Sequence, residues 1–250
     1  MAGVRQEAER GAWLSRHPFV VEPYTEECRT IYEEREHVVV GVSPGNSYFG
    51  VDLLAELLAW LCQEFRQVDV VVPDSGLVHT YLALGYPGQK AAKKARAETN
   101  VLFNRVVRGW EKSGGPRAGD GVHRMSELET GIAYQRLLRR CGQALADDPK
   151  LRATALRMCR DSLRARRPEF EPTLEQVECS MQYLLAELPF FLCSADIFEV
   201  SSSLCFYHQV VPLADDIFAK RTGLRASYRQ GYAVIHPKDF PEHHESRSRV

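Results

Sequence analysis

Val38, Val39, Val40 and Val42 form a β-branched run that ends at Ser43-Pro44-Gly45-Asn46, the pattern of a strand buried on both faces and closed by a turn. From Val51 to Phe65, apolar Leu54, Leu57, Leu58, Leu61 and Phe65 recur at the spacing of an amphipathic helix. Val68 to Val72 repeats the buried-strand pattern and is closed by Pro73-Asp74. A strand, a helix long enough for a crossover and a second strand predict a parallel sheet of the doubly wound kind.

A helical stretch from Gly88 to about Lys112 stops at Ser113-Gly114-Gly115-Pro116, and a short segment follows near Val122 to Met125. Three further helices are predicted over Ser126–Ala144, Leu151–Ala165 and Thr173–Leu188. The last has a capping box at Thr173 and Gln176 and a stop at Pro189. Two more strands are expected at Ser203–Tyr207 and Tyr232–His236. The expected fold is α/β, a Rossmann-like parallel sheet flanked by helices, with a helix-rich C-terminal half. Residues 1–24 are set apart as an N-terminal extension, 25–238 as one catalytic domain, and 239–250 as a frayed polar tail.

Composition narrows the function classes. The chain of 250 residues is long enough for a proper core, and its net charge of −1 means that any nucleic acid must be met by a local patch. No apolar run approaches the roughly 20 residues needed to span a bilayer, and no secretory signal is visible, so the expectation is a cytoplasmic protein without membrane contact. The seven cysteines are scattered without a CxxC pair, which predicts reduced, mostly buried thiols and no metal site.

Gly41-Val42-Ser43-Pro44-Gly45 matches the G-x-S-x-G elbow of serine hydrolases. That elbow uses the backbone N–H after the serine as an oxyanion donor, and Pro44 has none. Too little chain precedes Ser43 to supply the earlier strands of a hydrolase sheet. A hydrolase and a merely structural turn both stay open on these residues. Ligands of open parallel sheets sit beyond the carboxyl ends of the strands, where Ser43 would lie.

Lys90, Lys93, Lys94, Arg105, Arg108 and Lys112 fall within about 60° of one direction on an unbroken helix, with Arg96 off the stripe. Leu102, Phe103, Val106, Val107 and Trp110 face the other way, and between Gly88 and Glu111 the sole acidic residue is Glu98. Solvated faces usually mix signs; one that is nearly all positive suits a phosphate backbone. Tyr183 and Glu187 stand at i and i+4, and a carboxylate near a helix C-terminus beside a phenol could hold an ammonium group. Tyr207 and His208 end a strand and would point to opposite faces unless the chain turns there.

Together these motifs, in this order, resemble the cyclodipeptide synthases over nearly the whole chain. The matching stretches are Gly41 to Phe49, Tyr183-Leu184-Leu185-Ala186-Glu187-Leu188-Pro189-Phe190, and Tyr207-His208; Asn46, Tyr207 and His208 look like the signature of one subfamily. The resemblance implies a fold related to class I aminoacyl-tRNA synthetase catalytic domains, and two aminoacyl-tRNAs as substrates. By position, Ser43 would attack the first aminoacyl ester and Tyr183 with Glu187 would hold its ammonium. A second aminoacyl-tRNA would donate its amine to give a dipeptidyl-enzyme, and Tyr207 would carry a proton for ring closure. Gly41, Asn46 and His208 would shape the site. The basic face would bind tRNA, the partner expected in place of DNA. The first side-chain pocket would draw on Val39, Val71, Met125, Phe190 and Cys205, Tyr134 matches another pocket position, and the apolar walls imply a hydrophobic or aromatic residue. Arg166 and Arg167 match the second pocket or meet phosphate. No cofactor and no ATP are implied, because the ester is already activated, and a monomer is expected. A non-catalytic tRNA-binding module is the further alternative.

Overall fold

The computed structural model describes residues 18–219 and 222–238. Its centre is a six-stranded sheet in the order β1-β6-β5-β2-β3-β4. The strands are β1 (Phe19–Pro23), β2 (His37–Gly41), β3 (Gln67–Val72), β4 (Gly121–Arg124), β5 (Ser203–Tyr207) and β6 (Gln230–Pro237). All neighbours pair in parallel except β1, which runs antiparallel to β6. The expected parallel α/β sheet is therefore present, with an antiparallel edge.

That edge corrects the domain reading, since β1 lies inside residues 1–24 and is part of the sheet. The tail from residue 239, with Glu242-His243-His244, lies outside the described residues.

The helices are α1 (Glu26–Glu34), α2 (Val51–Glu64), α3 (Leu77–Ala83), α4 (Gly88–Lys112), α5 (Met125–Leu128), α6 (Ile132–Asp147), α7 (Pro149–Arg166), α8 (Leu174–Ile197) and α9 (Leu213–Phe218). The predicted helix over Ser126–Ala144 is two, divided where Gly131 precedes α6. The predicted stop at Pro189 fails: α8 runs on to Ile197 with a kink at Cys193, and buried Leu188, Phe190 and Leu192 hold it against the core. Proline removes one helical N–H, and packing on both sides of it outweighs that loss.

Strand alternation assigns the two faces. Val38, Val40, Val68 and Val70 pack beneath α2 and α4 with Leu54, Leu58 and Trp110. Despite Gly109, α4 is continuous; a Cβ there would come within 2.7 Å of the Leu54 Cβ, so the glycine lets α2 and α4 touch.

Val39 pairs with Cys205 and Gly41 with Val71, which brings these four to the opposite face. At the amino ends of the strands, that same face carries a polar network. His37 Nε2 lies 3.0 Å and His123 Nε2 2.7 Å from the two Asp69 oxygens, while Ser203 Oγ lies 2.9 Å from His37 Nδ1. Burial opposes the Asp69 charge, but hydrogen bonds from His123, His37 and Gln67 outweigh it and hold the carboxyl at about 2. This serine, histidine and aspartate are sealed from substrate, with Ser203 0% exposed, so they fix strand register.

Candidate active site

The sheet order places its topological switch at β2 and β5, which sit side by side with crossovers leaving in opposite directions. A crevice opens beyond the carboxyl ends of such strands. There a cavity of about 810 Å³ is lined by Val39, Gly41, Ser43, Val71, Cys205 and Tyr207 of the strands and the turn after β2, with Met125 of α5 and Phe190 of α8 at its base. Tyr183, Leu184 and Glu187 of α8 and Asp161, Ser162 and Arg166 of α7 line the other side.

Residues 43–46 form a tight turn in which Asn46 N–H donates to the Ser43 carbonyl at 3.3 Å. Gly45 adopts φ 76°, a left-handed conformation that favours glycine. Ser43 Oγ and Tyr207 Oη share a hydrogen bond of 2.5 Å. Gly41 makes that possible, because a Cβ on it would stand 3.3 Å from the Tyr207 ring. Burial pushes the Tyr207 phenol up to about 12, so at neutral pH it is a proton donor and not a base.

The chain turns at the end of β5, which lets Tyr207 and His208 serve one site after all. Asn46 Nδ2 donates to His208 Nε2 at 3.1 Å, and its Oδ1 accepts from the Tyr48 N–H at 2.9 Å. Tyr48 stacks on the His208 ring with centroids 4.8 Å apart. Burial depresses His208 to about 4, so the ring is neutral; the Asn46 bond leaves the hydrogen on Nδ1, which has no partner among the described residues. Asn46 and His208 therefore brace the turn.

Glu187 and Tyr183 stand one helical turn apart on the cavity wall. Burial raises the carboxyl to about 7, only partly opposed by the neighbouring Tyr183 phenol. The helix-end argument for Glu187 is corrected, because α8 extends ten residues beyond it, to Ile197. Its unusual ionisation comes from burial and not from the helix dipole.

Two other expectations change. Tyr134 is 1% exposed and donates to the Ala186 carbonyl at 2.8 Å; it packs behind Val39, Val71, Met125 and Phe190 and does not line the cavity. The basic face is also divided. Arg105 Nη1 donates to the carbonyls of Asn46 and Phe49 at 3.1 and 3.2 Å, so it buttresses the turn, and Lys112 pairs with Asp52 at 2.7 Å. Lys94 lies over the Tyr86 and Tyr81 rings, and Lys90 over Tyr86. Lys90, Lys93, Arg96 and Arg108 are exposed.

Sequence reasoning missed Tyr81 and the part played by Glu98. The signal was the lone carboxylate in a basic helix: Glu98 receives both Arg166 guanidinium nitrogens at 3.0 and 3.2 Å, together with the Tyr81 hydroxyl.

Comparison with known proteins places this geometry in context. Residues 19–237 match the cyclodipeptide synthase family. A cyclo(L-tyrosyl-L-tyrosyl) synthase of Mycobacterium tuberculosis is 36% identical over 224 residues, 89% of this chain and 78% of that protein. A cyclo(L-leucyl-L-leucyl) synthase of Bacillus subtilis is 33% identical over 223 residues, 87% of this chain and 89% of that one. A solved Mycobacterium tuberculosis structure, described as demonstrating that cyclodipeptide synthetases are related to type I tRNA synthetases, superposes with a TM-score of 0.77. It is 36% identical and covers 88% of this chain and 94% of its own.

Proposed function

The chain belongs to the cyclodipeptide synthase family, and from that premise we propose that it joins two aminoacyl groups carried on tRNA into a cyclic dipeptide through an ester on Ser43. The observation that carries this reading is a single cavity holding a hydroxyl and a carboxyl on facing walls: Ser43 bonded to Tyr207 on one side, Glu187 with Tyr183 on the other.

Ser43 Oγ attacks the carbonyl of the first aminoacyl ester, the C–O bond to the terminal ribose breaks, and the ribose oxygen takes up a proton. Tyr207, protonated and in contact with Ser43, is the group through which that proton moves. The ionised Glu187 carboxylate holds the α-ammonium, and Val39, Val71, Met125, Phe190 and Cys205 enclose the side chain, which is therefore apolar or aromatic. For the dipeptide to stay on Ser43, the amine that attacks next must be that of the serine-bound residue: its ammonium passes a proton to the Glu187 carboxylate, the freed amine attacks the ester of the second aminoacyl-tRNA, the C–O bond to that ribose breaks, and the ribose oxygen takes up a proton. Attack by the second tRNA's own amine, the sense in which the resemblance was first read, would leave the dipeptide on tRNA. The new terminal amine then attacks the serine ester, the ring closes, and Ser43 regains its proton. Each acyl donor is an activated ester, so the cycle balances without ATP.

Expression in a bacterial host and mass spectrometry of the medium test the proposal. A diketopiperazine absent from vector-only cultures is expected, with at least one bulky apolar residue in its mass. A medium without any new cyclic dipeptide would sink it.

The exposed part of α4 supplies the tRNA contact. Charge reversal at Lys90, Lys93 and Arg108 should weaken tRNA binding at every sequence, and each lost contact should lower the slope of log affinity against log salt by about 0.7–0.9. Filter-binding titrations across a salt series measure this. An unchanged slope in the triple variant would remove α4 from the interface.

A further inference from the structure

The 43–46 turn has proline second and a glycine at φ 76° third, with Asn46 N–H bonded back to the Ser43 carbonyl, which is the geometry of a type II turn. Type I and type II turns differ chiefly by a flip of the central peptide, here Pro44–Gly45. Which way that peptide faces is settled by one side chain. Arg166 Nη2 donates to the Pro44 carbonyl at 3.0 Å, while the same guanidinium is forked onto Glu98 at 3.0 and 3.2 Å. Glu98 also receives the Tyr81 hydroxyl. Three helices, α3, α4 and α7, thus converge on one carbonyl of the turn.

The fit is close. A Cβ on Gly45 would fall 2.6 Å from Glu98 Oε1, so the ion pair packs directly on the turn. A planar trans peptide that aims its carbonyl at Arg166 aims the Gly45 N–H the opposite way, and that N–H has no acceptor among the described residues. In the flipped form the carbonyl and the N–H would exchange sides beside Ser43.

Resting on the function proposed above, we infer that Arg166, locked by Glu98 and Tyr81, is a positioning residue that selects the type II form of this turn and so sets where Ser43 meets the acyl ester. Its charge is spent on Glu98 and its third contact on a backbone carbonyl. Arg166 therefore reads neither the tRNA phosphate nor the second side chain, the two roles left open by sequence. The arginine fork is required because one donor group must hold a carboxylate and a carbonyl at once.

Single-turnover acylation of the full chain by aminoacyl-tRNA, followed by intact mass, tests this beside tRNA binding. Arg166→Gln should slow acylation about a hundredfold, the scale of a misplaced reacting group, while tRNA affinity stays at the wild-type level. Arg166→Lys should recover part of the rate, and added methylguanidinium should recover part of it in Arg166→Ala. A loss of tRNA affinity that matches the loss of rate, or a rate that does not change, would overturn the inference. If the Arg166 variants do not fold, Glu98→Gln and Tyr81→Phe answer the same question: slower acylation at unchanged affinity supports it, and wild-type rates overturn it. Wild-type protein that acquires no acyl group would overturn the proposed function and this inference together. Acylated wild type with an unimpaired Arg166→Gln overturns the inference alone.

Discussion

Ser43→Ala will abolish cyclic dipeptide formation, with a loss of at least about 10⁴-fold, the scale seen when a covalent nucleophile is removed. The size follows from the proposed chemistry. Without Oγ there is nowhere to store the first aminoacyl group, and both peptide bonds depend on that ester. The neighbouring Tyr207 phenol cannot substitute, because burial keeps it protonated up to about 12. Folding should be nearly untouched: among the described residues the Ser43 side chain makes one hydrogen bond, to Tyr207, whose loss costs about 1 kcal/mol. Intact mass after incubation with aminoacyl-tRNA should show one aminoacyl adduct on the wild type and none on the variant. An adduct that survives in Ser43→Ala would displace Ser43 from its role. The same protein should not turn over simple esters, since Pro44 removes the amide that a hydrolase elbow uses. Fluorophosphonate labelling with ester turnover would favour the hydrolase reading instead.

What could be read from sequence was what local pattern carries. The β2–turn–α2–β3 unit was legible because buried strands and an amphipathic helix follow each other within about forty residues, each with its own period and stop signal. Ser43 was legible for the same reason, as a turn at the carboxyl end of the first parallel strand. The edge strand β1 was not. Phe19-Val20-Val21 is a short apolar run ending at Glu22-Pro23, and only pairing with β6, more than two hundred residues away, makes it a strand. Pro189 misled because the rule that proline ends a helix yields to tertiary packing, and the buried side chains of α8 on either side of it supply that packing. The basic stripe was visible as six cations, but sequence alone could not divide them. Arg105 turns inward to carbonyls of the 46–49 segment and Lys112 is paired with Asp52, contacts that span 56 to 60 positions of chain. The grip of Arg166 on Pro44 spans 122 positions and left only one local trace, a lone glutamate on a basic helix.

Glu187 should give the pH profile its acid limb and, at the same time, weaken the fold. Burial raises its carboxyl from 4.5 to about 7, whereas the proposed ammonium contact needs the anion. For the free protein, kcat/KM should therefore rise with pH through about 7, then fall as the substrate ammonium loses its proton in the range of about 8. Glu187→Gln keeps the shape and removes the charge. It should lower kcat/KM roughly a hundredfold, the effect of leaving one buried charge without its partner at about 3 kcal/mol, and it should erase the acid limb. Stability moves in the opposite direction. A carboxyl whose folded pKa lies above its unfolded value stabilises the fold fully below the unfolded value, and that stabilisation is lost as pH rises through the folded one. Native Glu187 thus burdens the empty protein above pH 7, by about 1–3 kcal/mol at pH 8 since the cavity lets in some water. Glu187→Gln should accordingly unfold at a higher denaturant concentration than wild type at pH 8, with no advantage at pH 4, and urea titrations at the two pH values measure both. A variant that loses activity and stability together would make Glu187 a structural residue, because only a carboxylate kept for its substrate is expected to destabilise the protein that carries it.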